Sequence, residues 1–173
     1  MNNQTNTGPT WYREARKDLS VREIPGVANS PTIMGWAKRL GSKVLGIVYN
    51  ADSVPWCGLA VAHWLEQRGF TPPPIAIRAM AWATWGRDLG KDQLYQGSIV
   101  VFKRSGGGHV GLCSGYTDTH VYVLGGNQSD AVTETFIARR RLVAQRWPAS
   151  SVQVPQQALR FLRTHGPVSK NEA

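Results

Sequence analysis

Gly97-Ser98-Ile99-Val100-Val101-Phe102, followed by Ser105-Gly106-Gly107-Gly108-His109-Val110-Gly111, is where the character of the chain changes. Upstream, apolar residues recur at helical spacing; from here on, short apolar runs alternate with turn residues. Ile99 to Phe102 predicts a strand, 105–108 a loop, and 109–116 a second strand opened by His109. Asp118-Thr119 turns the chain into a third strand over 121–124, and two more are expected at 132–137 and 142–147. Helices first and an antiparallel meander after them make an α+β domain.

Working back from Gly97, residues 11–19 place Trp11, Ala15 and Leu19 on one helical stripe. Ser30-Pro31 starts another helix, because Ser can cap the end and Pro suits the first helical position. Ile33, Met34, Ala37 and Leu40 form its buried face, Gly41 is expected to stop it, and 42–55 read as a loop. A third helical pattern runs from Trp56 through Ala60, Val61, Trp64 and Leu65 to Gly69, and a fourth is expected over 75–85 after the rigid Pro72-Pro73-Pro74 connector. Residues 1–9 read as a disordered leader, 10–150 as a single domain, and 151–173 as a basic tail with a cationic helix over 155–165.

The 173 residues suffice for one domain with its own core. Twenty Lys and Arg against eleven Asp and Glu give a net charge of +9, with much of it late, in Arg139, Arg140, Arg141, Arg146, Arg160 and Arg163. Such a field favours an anionic envelope surface, an acidic polymer or nucleic acid. Zinc-finger spacing, ribonucleoprotein aromatics and basic heptads are all missing, so no specific nucleic acid is expected. Two cysteines make no disulfide framework, and no Cys, His and carboxylate cluster has metal-ligand spacing. The first ten residues are polar and uncharged, which reads as no secretory signal.

Chemistry concentrates on two residues. In Val54-Pro55-Trp56-Cys57-Gly58-Leu59-Ala60, Cys57 falls in the first turn of an apolar helix, where the helix dipole favours a thiolate. Gly58 is expected to leave its N–H open to an oxyanion. His109, after three glycines, is the expected general base, with space around its ring. A third group normally orients the imidazole. Gly125-Gly126-Asn127-Gln128 ends the neighbouring strand, which makes Asn127 the first candidate, Gln128 the second and His120 the third. Cys113, on the same strand as His109, reads as a core thiol. Asp52, Trp56 and Gln128 are candidates for lining a substrate groove.

Taken in order, Trp56-Cys57, the 97–102 strand, Gly108-His109-Val110-Gly111 and Gly125-Gly126-Asn127-Gln128-Ser129 resemble the papain-like cell-wall hydrolases. These are the CHAP group (cysteine, histidine-dependent amidohydrolases/peptidases) and its NlpC-type relatives. The likeness is greatest to phage-type endolysins, which share a leading segment like Glu23-Ile24-Pro25-Gly26. CHAP members often carry a Glu just before the Asn; here that position is Gly126. The resemblance implies a papain-like domain and a monomer without cofactor or metal. It also implies peptidoglycan as partner, cut as an endopeptidase or N-acetylmuramoyl-L-alanine amidase with Cys57 as nucleophile and His109 as base. Such a protein would collect in the host cytoplasm and reach the wall after the membrane is breached. The rival reading is a non-catalytic basic module that binds envelope or nucleic acid.

Overall fold

The computed structural model describes residues 7–170, so most of the expected leader lies outside the described residues. Pro9, its last residue, is buried. Helix α1, Thr10–Lys17, buries Trp11, Tyr12 and Ala15, and the Trp11 indole donates to the Gly97 carbonyl at 2.7 Å. The first helix is thereby tied to the residue where the sheet begins.

In α2, Pro31–Leu45, the Ser30 hydroxyl accepts from the Ile33 N–H, as its position before Pro31 predicts. Gly41 does leave helical geometry, with φ 79°, but it kinks the helix instead of ending it. A further turn runs on to Gly46, whose left-handed backbone caps the end. Helix α3, Cys57–Glu66, is buried at every position from 57 to 62 and forms the centre of the helical layer.

The helix expected over 75–85 contracts to a 3-10 turn, Ala79–Thr84. Ile75 takes a left-handed backbone with φ 57°, and the Trp82 indole donates to the Ala76 carbonyl at 2.9 Å. That carbonyl is the acceptor an α-helix would need for the N–H four residues on.

The strands are β1 (Arg87–Asp88), β2 (Ile99–Arg104), β3 (Gly107–Tyr116), β4 (His120–Gly125), β5 (Thr133–Ala138), β6 (Leu142–Trp147) and β7 (Leu159–Arg160). Six of them follow the order β1-β6-β2-β3-β4-β5, antiparallel throughout, and β7 runs parallel to β3. The fold is therefore α+β, as expected. Ile99, Val101, Val110 and Leu112 face the helices, while Val100, Phe102, Cys113 and Val123 form a second core on the opposite face. Burial on both faces explains why 99–102 reads as an unbroken apolar run.

The tail departs from expectation. No helix forms over 155–165; instead Leu159–Arg160 pairs with Gly115 and Tyr116 beside a bulge in β3. Gly115 permits this, because a Cβ there would meet the Leu159 carbonyl. Phe161 then packs edge-on against Tyr122 and Phe136. Among the described residues, no helix is long and apolar enough to cross a membrane.

Candidate functional site

Cys57 is the first residue of α3, and no side chain caps that end. The N–H groups of a helix's first turn have no partner within the helix, so an uncapped end leaves donors for another purpose. Here they serve the sulfur. The Cys57 and Gly58 N–H groups and that of Val110 on β3 all donate toward it, and the Arg104 guanidinium adds its charge. Burial outweighs them and holds the thiol above its ordinary pKa. For the sulfur to act as a nucleophile, a base would have to take its proton.

Val110 directly follows His109, so the sulfur lies beside the strand segment that carries the imidazole. His109 is the third residue of β3, opposite Phe102, and not its opening residue as expected. It is fully buried, and the space at Gly108 is taken by Met80, whose sulfur would sit 2.9 Å from a Cβ there. The glycine run makes room for Met80 instead of clearing solvent around the ring.

The partner of the imidazole is Gln128, which corrects the preference for Asn127. His109 Nε2 lies 3.0 Å from Gln128 Oε1. The amide orientation is fixed, because Gln128 Nε2 donates to the carbonyls of Val123 at 3.2 Å and Thr133 at 2.7 Å. Oε1 must then accept, so Nε2 of the ring carries a proton and Nδ1 holds the lone pair of the neutral imidazole. Asn127, Ser129 and Asp130 all have left-handed backbones, and the Gln128 N–H closes on the Ala131 carbonyl. This tight turn folds residue 128, not 127, back beneath the ring. The glycines before it matter by close approach: a Cβ on Gly126 would meet Trp56 and Ala60, and one on Gly125 would crowd Gln128 and His109.

Other expected residues serve structure. Gly58 lies against the backbone of Ala76 and Ile77, which explains the glycine better than access to its N–H does. Trp56 is fully buried and donates to Glu23 at 2.6 Å, so it lines no groove. Asp52 is buried too, accepting from the Ile24 and Ser30 N–H groups at 3.0 and 2.7 Å; it organises the loop before α2. His120 begins β4 while Gly125 at its far end adjoins the imidazole, about 16 Å of strand away. Cys113 sits in the second core.

Cys57 opens into a pocket of about 380 Å³. Ile47, Ile77 and Met80 give it apolar walls, and Arg78 and Arg104 are its charged residues among those described. Sequence reading does not find these neighbours, because separate loops, a turn and a strand bring them together only in the fold. Among the described residues no group of three or more His, Cys, Asp or Glu could hold a metal ion. The arrangement combines a thiol, an oriented imidazole and a helix end rich in N–H donors, which is what acyl transfer through a thioester requires. No family model matches the chain, and no curated protein matches it.

Proposed function

We propose that this protein is a papain-like cysteine amidase or peptidase that hydrolyses amide bonds of peptidoglycan. The observation that carries the reading is the uncapped N-terminus of α3, with Cys57 beside Val110 and the adjacent His109 held by Gln128. A core cysteine needs neither backbone donors nor an oriented imidazole nearby. The order of motifs that resembles the CHAP and NlpC-type hydrolases supports the same chemistry, and the +9 charge suits a polyanionic wall.

In the proposed reaction His109 Nδ1 takes the Cys57 proton as the sulfur attacks the amide carbonyl. A C–S bond forms, and first-turn N–H groups of α3 stabilise the oxyanion. Collapse breaks the C–N bond while the imidazolium returns its proton to the leaving amine. Water, deprotonated by His109, then attacks the thioester; the C–S bond breaks and the thiol is restored. Throughout, Gln128 keeps the ring in the tautomer this requires. Acting on the wall after the membrane is breached is part of the same proposal.

Digestion of purified sacculi followed by mass spectrometry of the soluble fragments tests it. New amine and carboxyl ends should appear with the wild-type protein and vanish with Cys57→Ala, whose circular dichroism should be unchanged. The fragment masses also decide between the sugar–peptide junction and a bond within the peptide. Binding to sacculi without new ends, equal in both proteins, would instead favour a non-catalytic envelope module.

A further inference from the structure

Ile47 and Met80 both line the pocket of Cys57, and both keep part of their surface in water, 36% and 46% of it. A single apolar side chain at the surface needs no explanation, whereas a contiguous set points to something that covers it. Here the set is contiguous: Val54, Pro55, Ile77 and Ala79 line the same pocket. The apolar surface is also concave, and it opens on the one sulfur that the backbone donors of α3 surround. Concave apolar walls around a few polar groups are the usual form of a small-ligand site.

The two sides of this pocket are held in different ways. On one side, the Ala76 and Ile77 N–H groups donate to the Val44 and Leu45 carbonyls at the end of α2, at 3.0 and 3.4 Å. The Ala76 and Ile77 carbonyls press on Gly58 so closely that a Cβ there would collide with both. The Trp82 indole holds the Ala76 carbonyl as well. Ile77 is thus fixed by backbone contacts beside the start of α3. Met80, in the Ala79–Thr84 turn, closes the other side by its side chain. Its Sδ and Cγ rest over Gly108, 2.9 and 3.1 Å from where a Cβ would stand. An unbranched side chain with three rotatable bonds can be moved or shortened there without disturbing the backbone that holds Ile77.

We propose that Met80 is a specificity-determining residue: it sets the size of the side chain accepted beside the scissile amide. The substrate then presents a small to medium apolar side chain at that place, of the alanine-to-leucine class. The position of the scissile amide rests on the catalytic reading above; the apolar wall itself rests on the pocket. Its occupant is the substrate, because whatever brings a carbonyl to the Cys57 sulfur must cover this wall. Each methylene moved from water against such a wall strengthens binding about fourfold. Shortening Met80 enlarges the pocket toward Gly108, on which its sulfur rests.

Labelling of Cys57 by N-substituted iodoacetamides, each rate divided by that with glutathione, tests this without wall hydrolysis. The N-isobutyl and N-carbamoylmethyl reagents have nearly the same shape and differ in polarity. The first should label Cys57 about tenfold faster than the second. An N-naphthylmethyl reagent should be slower than the isobutyl one in the wild-type protein. In Met80→Ala the ratio of naphthylmethyl to isobutyl rates should rise about tenfold, as the size limit is lifted. Met80→Val should shift it the same way in smaller measure, and serves if Met80→Ala loses its melting transition. Leu162→Ala, which removes another exposed apolar side chain, should leave the ratio within about twofold. Equal isobutyl and carbamoylmethyl rates would overturn the proposal. So would a faster N-carboxymethyl reagent, drawn by Arg78 and Arg104, a ratio indifferent to Met80, or a Cys57 that none of the reagents reaches. If sacculi resist hydrolysis while the ratio follows Met80, the catalytic reading fails and the pocket's selectivity stands. Hydrolysis with a ratio indifferent to Met80 keeps the catalytic reading and removes the subsite.

Discussion

Cys57 and Cys113 are both buried, both carried by the core of the domain, and both pushed above the ordinary thiol pKa by burial. Their surroundings differ in kind. Burial pushes the Cys113 thiol up to about 12; against it stand one backbone donor, the Gly115 N–H, and the charge of Arg139, while the Gly115 carbonyl oxygen lies 3.7 Å from the sulfur. Cys57 faces three backbone N–H groups and a guanidinium, and one of those N–H groups belongs to Val110, the residue after His109, whose Nε2 lies against Gln128. Exposure hardly separates the two. What separates them is the balance of donors and acceptors, since N–H groups stabilise a thiolate and a carbonyl oxygen stabilises S–H. The proposed role of Cys57 as nucleophile rests on that balance, for which the uncapped end of α3 supplies the donors.

The same contrast predicts unequal effects. Gln128→Ala should lower turnover on sacculi roughly 10- to 100-fold, because the imidazole loses the acceptor that selects its tautomer. Asn127→Ala, beside it in the same turn, should change turnover less than about threefold. Rates measured alongside melting temperatures separate positioning from folding. If Asn127→Ala proves the more damaging at equal stability, the orienting group has been misassigned. A smaller effect, on stability alone, is expected at the second thiol. Cys113→Ala leaves a void in the second core and should cost roughly 1–2 kcal/mol in denaturant unfolding, with turnover retained. Loss of turnover with that variant would make the two thiols functionally alike and break the comparison.

How far the sequence reveals this site depends on range. Strand 99–102 and the start of α3 are legible because apolar period and a helix-start position are local properties. The capped start of α2 is legible for the same reason, as Ser30 and Pro31 act on their own backbone. Gln128 is not, because choosing it over Asn127 requires the left-handed turn over 127–130, which periodicity does not encode. The turn over 79–84 is hidden likewise, since a tryptophan indole competes for the carbonyl that a helix would use. Asp52 is polar in a loop and looks solvated, yet it is buried by the N–H groups it collects from 22 and 28 residues earlier. Arg141 donates to the Lys103 carbonyl, a contact that only the pairing of β2 with β6 brings about. Charge alone suggests a cationic tail, whereas strand β7 is set by the backbone that the β3 bulge leaves open.

Site-resolved alkylation tests the central claim without any substrate. Wild-type protein and His109→Ala are treated with iodoacetamide at neutral pH, and labelling of each cysteine is followed by peptide mass spectrometry. Cys57, lifted by burial but served by His109 in the proposed mechanism, should label well ahead of Cys113, whose thiol is pushed up to about 12. In His109→Ala the rate at Cys57 should fall about tenfold or more, while Cys113 is unchanged, because only one thiol loses its base. Equal labelling of the two cysteines in the wild-type protein, or a Cys57 rate indifferent to His109, would contradict the dyad.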